Sequence, residues 1–155
     1  MRYWRGTTLE RFQEHYDPSS GLYSLDGCDD SGRVYLFKEY PRISLDALLG
    51  LWNKEGAAFY ALLESRSANE TPLVFSGELT KEQQERLRQG LFGWYLHDPA
   101  EVTVDSAYDV ADGIYAKLVM LGIIFPLTLL FYPRYILPDR YFSERSLEAI
   151  MEKSK

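Results

Sequence analysis

The chain has 155 residues, with 46% apolar and 15% aromatic side chains, a formal net charge of −6 and one cysteine. So much apolar material excludes a disordered protein, and the length suits one domain over residues 1–155 that folds without metal. The lone Cys28 excludes an internal disulfide. Lys and Arg number 12 against 19 acids in residues 1–117, and 5 against 4 in residues 118–155. With no basic cluster to meet phosphates, nucleic-acid binding is not expected. No charged start followed by an apolar stretch opens the chain, which together with the single cysteine predicts a cytoplasmic protein.

Thr7-Thr8-Leu9-Glu10 has capping-box spacing and predicts a helix over about 8–16, with Leu9, Phe12 and Tyr16 on its inner side. His15 on this helix has no second histidine three or four residues away to complete a metal pair. Strands are expected over 22–25 and 33–40. The loop between them sets Asp26, Cys28 and Asp30 at alternate positions, but Cys28, Ser31 and Phe37 stand where a calcium loop needs Asp or Asn, Gly and Glu. Carboxylates beside Cys28 disfavour its thiolate, so it is read as a turn residue rather than a nucleophile.

Ser44 caps an expected helix over 45–54 with Leu45, Leu48, Leu49 and Trp52 along one stripe. The apolar run 57–63 could continue as helix or form a buried strand; the hairpin context, with 73–77 as the returning strand, selects the strand. Thr80-Lys81-Glu82-Gln83 is a second capping box. It predicts a helix over 81–97 with Leu87, Leu91, Trp94 and Tyr95 inward and His97 in its last turn.

Residues 104–122 read as a helix carrying Ala107, Val110, Ala111, Ile114, Leu118 and Leu121 on one side and Asp105, Asp109 and Asp112 on the other. It leads into residues 118–132, fifteen positions without a charge. That run is too short for a membrane span, which needs about 20 residues, and Pro126 breaks it into a helix end and a strand over 127–132. Residues 133–138 make an extended connection with two prolines, and Ser143 caps a last helix over 144–152 with Leu147, Ile150 and Met151 inward. The fold class that follows is α+β: one domain, with a mostly antiparallel sheet of about four to six strands against four or five helices.

From Asp98 to Ala116 there are five acids, Asp98, Glu101, Asp105, Asp109 and Asp112, and no Lys or Arg. With Tyr108 and Tyr115 as flanking anchors, this stretch is the candidate partner-binding surface, suited to a basic protein. No phosphate loop, paired-cysteine, zinc or nucleophile-elbow motif occurs, so no catalytic residue, cofactor or metal is expected. In size, acidity and lack of catalytic equipment the chain is similar to immunity proteins of bacterial toxin and immunity pairs. The similarity implies a protein that docks an acidic surface on a basic toxin domain. The alternative is a small cytosolic enzyme using a carboxylate or His97 as base.

Overall fold

The computed structural model describes residues 1–25, 32–39, 54–90, 94–97, 100–111 and 142–152. Cys28 and its loop, Ser44 and the helix expected over 45–54 except for Lys54, the run 118–132 with Pro126, and the 133–138 connection lie outside them. Within them the fold is α+β, as expected, with ten strands in antiparallel sheets and four helices. No helix among these residues is long and apolar enough to cross a membrane.

The centre is β1 (Arg2–Thr8), a seven-residue strand. One edge pairs along its whole length with β5 (Pro72–Glu78), from Arg2 opposite Glu78 to Thr8 opposite Pro72. Its other edge pairs with β4 (Arg33–Lys38) only at Tyr3–Lys38 and Trp4–Phe37. Beyond β5 come β9 (Ser106–Val110) and β10 (Phe142–Arg145); beyond β4 come β7 (Trp94–His97) and the two-residue β6 (Arg88–Gln89). A second sheet joins β2 (Tyr16–Asp17), β3 (Leu22–Leu25) and β8 (Ala100–Thr103).

Successive strand residues point to opposite faces, and β1 is buried on both. Tyr3 enters a large core with Leu73, Phe75, Val102 and Ala107, closed by the second sheet and by α1 (Leu9–His15). There Phe12 is fully buried, with its ring centroid 4.9 Å from Tyr16, 5.5 Å from Tyr23 and 5.2 Å from Phe75. The Tyr3 hydroxyl donates to Thr103 O at 2.8 Å, and burial pushes the Tyr3 and Tyr23 phenols above their ordinary pKa range. Trp4 faces the other way, into a core with Phe37 and Val74 covered by α2 (Lys54–Ala68).

The residues read as a strand over 57–63 lie within α2. Their apolar run hides a helical stripe, Ala57, Ala58, Ala61 and Leu62, that is buried on the sheet, while Tyr60 and Leu63 point elsewhere. Ala and Leu are strong helix formers, and a helix apolar on two sides loses the periodicity that marks it. Strand β5 therefore follows a helix and has β1, not residues 57–63, as its partner.

The helix expected over 81–97 is also corrected. Its capping box is real, with Thr80 Oγ1 accepting from Gln83 N and the Gln83 side chain accepting from Thr80 N, but α3 (Lys81–Arg86) ends where Leu87 turns extended. Gly90 and Gly93 interrupt the helical pattern, and Trp94, Tyr95 and Leu96 suit a strand. Helix α1 starts one residue later than the first capping signal suggested. Thr8, not Thr7, accepts from Arg11 N, and Glu10 turns instead to Thr71. The last helix is shorter than expected, α4 (Leu147–Glu152), because residues 142–145 form β10; Ile150 is buried and Leu147 and Met151 are packed beside it.

Gly6 sets the distance between α2 and β1. A Cβ at that position would overlap the Ala57 carbonyl oxygen and stand 2.8 Å from Ala61 N, both backbone atoms that cannot turn aside. Gly6→Ala is expected to lower stability by roughly 3 kcal/mol or more, since overpacking against rigid backbone is relieved only by moving the helix. The check is the urea unfolding midpoint, and an unchanged midpoint would show that α2 does not rest on this residue.

Candidate functional site

The acidic stretch does not form a helix face. Val104 and Asp105 link β8 to β9, with Asp105 N donating to Ser76 O at 3.0 Å, and residues 106–110 are the strand β9 between β5 and β10. Strand alternation then separates what helical spacing had gathered. Ser106, Tyr108 and Val110 face α2, whereas Ala107 and Asp109 face the other core. A strand buried on both sides carries apolar residues at both parities, and that pattern is easily mistaken for a helical stripe.

Each predicted site residue among those described has a definite place. Glu101 is exposed on β8 opposite Ser24, and its carbonyl oxygen accepts from the Gln83 side chain. Asp109 is paired with Arg145 of β10, its Oδ2 lying 2.9 Å from Nε. Tyr108 is half-buried, with its ring 5.6 Å from Trp4, so it serves the core under α2 before any partner. Asp98, Asp112 and Tyr115 lie outside the described residues. His97 is exposed at the end of β7 opposite Arg33, with its ring 5.4 Å from Tyr95.

Asp105 is organised by Arg2. The guanidinium meets both carboxylate oxygens, Nη1 to Oδ1 at 3.0 Å and Nη2 to Oδ2 at 3.1 Å, and Nη1 also donates to Ser76 Oγ at 2.8 Å. Ser106 Oγ adds a 2.6 Å hydrogen bond to Oδ1. Burial alone would lower the Arg2 pKa. The Asp105 contact and the charges of Asp105, Glu39 and Glu78 outweigh it and raise the pKa. Three carboxylates thus act on one arginine at this end of the sheet. Glu39 is exposed, Glu78 and Asp105 keep 56% and 45% of their side-chain surface in solvent, and the Met1 ammonium lies 2.9 Å from Glu78 Oε2, so three carboxylates here meet two positive charges.

A second feature lies where β1 and β4 part. Past Trp4–Phe37 no further pair joins the two strands, and Arg5 fills the split: its Nη1 donates to Tyr35 O at 2.8 Å. Alternation roots Arg5 on the Tyr3 face, yet it lines a pocket of about 600 Å³ whose other walls come from the α2 side of the sheet. Tyr35 and Phe37 of β4 and Tyr60, Leu63, Glu64 and Ser67 of α2 supply those walls. Sequence reading missed this pocket because 60, 63, 64 and 67 make a stripe only once the segment is a helix. A readable signal was Arg5 itself, a charge inside the apolar strand Tyr-Trp-Arg-Gly-Thr.

No protein-family model, curated protein or solved structure matches this chain. Among the described residues no three His, Cys, Asp or Glu side chains group as a metal site would require.

The Arg2–Asp105 geometry is bidentate but partly exposed, which limits its worth. A double-mutant cycle with Arg2→Met and Asp105→Asn is expected to give a coupling of about 1 kcal/mol at low salt, shrinking at high salt. Coupling near zero at low salt would show that the pair leaves stability untouched.

Proposed function

We propose that this protein acts by binding another protein, and in its sharpest form that it is an immunity protein that neutralises a bacterial toxin by docking an acidic surface on it. The observation that carries the reading is the group of exposed carboxylates, Glu39, Glu78 and Asp105, which outnumber the Arg2 guanidinium and the Met1 ammonium among them. Two positive charges, Arg2 and the Met1 ammonium on Glu78, among three negative ones leave a net negative patch that attracts a basic surface and repels an acidic one. Arg2 holds Asp105 in one orientation, so less side-chain freedom is lost when a partner arrives. Glu101 on β8 and the acids Asp98 and Asp112 extend the negative character in sequence, and Asp109, engaged by Arg145, contributes less.

This surface differs from the helix face expected from sequence in its geometry and keeps its sign. A basic toxin domain, such as a nuclease with a cationic substrate cleft, is the partner chemistry it suits. Association would be fast and salt-sensitive, with affinity set by whichever aromatic or arginine anchors lie at the centre of contact. The enzyme reading has less to build on: exposed His97 lines no part of the Arg5 pocket, and the carboxylate there, Glu64, is already ion-paired with Arg11.

Co-expression with the proteins encoded on either side of its gene should identify the partner as the one whose toxicity the chain relieves. Glu39→Lys with Glu101→Lys, at two exposed positions, is expected to weaken binding of that partner about tenfold at low salt and to flatten its salt dependence. Equal affinity and equal salt slope for the variant would remove the acidic surface from the mechanism.

A further inference from the structure

The carboxylate patch and the pocket at the β1–β4 split lie on the same side of the sheet, joined by a run of contacts. Arg2 and Trp4 share the α2 side of β1, with the guanidinium carbon 6.0 Å from the Trp4 ring centroid. Phe37 is the strand partner of Trp4, and its ring centroid stands 5.5 Å from that of Tyr60 in the pocket wall. Glu39 N donates to Arg2 O at 3.1 Å, which carries the chain two residues, about 7 Å, beyond Phe37 and brings the Glu39 charge to Arg2. Along β1 the distance from Arg2 to Gly6, which lines the pocket, is about 13 Å. A standard protein interface of about 800 Å² a side is wider than that, so one partner covers both features.

What the pocket takes follows from its lining. Among the described residues Tyr60 and Leu63 are the exposed large hydrophobic side chains, at 37% and 49% of their surface, and both belong to its wall. Scattered single hydrophobics are ordinary on a surface; two that share one cavity with Tyr35 and Phe37 make a binding wall. The charged groups of the lining are already engaged, Arg11 with Glu64, and Arg5 with Tyr35 O and a further interaction within the chain. An occupant therefore has no charge to match, and a neutral group enters at the least desolvation cost. Three rings and two guanidinium groups favour a flat aromatic group over an aliphatic one, since both attract a π face. A cavity of about 600 Å³ admits a side chain as large as indole, and Gly6 fixes the site in advance by seating α2 on β1.

We propose, resting on the acidic docking surface argued above, that the pocket receives an aromatic side chain of the same protein partner whose basic residues meet Glu39, Glu78 and Asp105. The partner segment it fits is an aromatic residue flanked by Lys or Arg. The two parts of the surface then do different work: charges at the rim speed association, and a ring buried among Tyr35, Phe37 and Tyr60 slows release.

The test uses acetylated and amidated pentapeptides, Lys-Lys-Trp-Lys-Lys, Lys-Lys-Leu-Lys-Lys and Glu-Glu-Trp-Glu-Glu, each about 17 Å long when extended. They are titrated at low salt into the full isotope-labelled chain while backbone amide shifts are followed by NMR. Saturable shifts at Tyr60 and Leu63 are expected with the first peptide, about fivefold tighter than with the leucine peptide and about tenfold tighter than with the acidic one. Leu63→Ser opens the wall at an exposed position, and Ser67→Trp fills the cavity from an exposed one. Each is expected to abolish the preference for Trp over Leu while the urea midpoint and the preference for Lys over Glu flanks stay put; if Leu63→Ser lowers the midpoint, Ser67→Trp alone gives the reading. No saturable binding of the first peptide, equal affinity for Trp and Leu, or a preference that the variants leave intact overturns the anchor pocket. With the preference for Lys flanks retained, such a result leaves the acidic surface standing. Equal affinity for Lys and Glu flanks removes the acidic surface and the shared partner with it.

Discussion

The backbone of α2 rests directly on the backbone of β1 at Gly6, and much of the described structure follows from that contact. With no side chain between them, the Ala57, Ala58, Ala61 and Leu62 stripe reaches the sheet and covers Trp4 and Val74. Small residues on the helix and none on the strand bring the two elements closer than ordinary helix-on-sheet packing, which allows good dispersion contact at the cost of any tolerance to added volume. The same approach decides which α2 residues are left over. Tyr60, Leu63, Glu64 and Ser67 project past the edge of the contact, above the place where β4 turns away.

Strand β1 also distributes charge in an unusual way for a central strand. Its two arginines have opposite parity and different surroundings. Arg2 lies on the α2 side at a sheet end, is raised in pKa by the carboxylates around it, and helps to fix Asp105, just before β9. Arg5 lies in the interior and replaces a missing stretch of β1–β4 ladder with a side-chain bond to Tyr35 O. One arginine links segments far apart in sequence, and the other ties two neighbouring strands where their ladder stops. Central strands rarely spend two positions on such residues, and each marks a place where the surface does something other than cover a core.

Elements with local end signals were readable from the chain. The Thr80 capping box, the short helix after Thr8 and the strands over 22–25, 33–38 and 72–78 all carry turn or cap chemistry within a few residues of their boundaries. Elements buried on two sides were misread in both directions. Residues 57–63 lost their helical signature because Tyr60 and Leu63 are apolar on the side away from the sheet, and 106–110 lost their strand signature because Ala107 and Val110 are buried in different cores. The acidic character of 98–112 was legible because charge needs no geometry. Which carboxylates share a surface was not, since Asp105 depends on Arg2 and Asp109 on Arg145 across the sheet. The pocket escaped for the same reason: Arg5, Tyr35 and Tyr60 meet only after three separate segments are in place.

The way β1 is paired also shapes how the chain must fold. Its full-length partner is β5, so Arg2 waits for Glu78 and Thr8 for Pro72, and β5 in turn waits for β9. None of these ladders is a tight hairpin, and each closes a long loop before any contact rewards the lost chain freedom. During synthesis Tyr3 and Trp4, both buried in the end, emerge well before the strand and helix that will cover them. An early stretch of unpaired apolar strand invites association with other chains, and the charges at Arg2 and Arg5, placed on either side of that pair, are well positioned to discourage it.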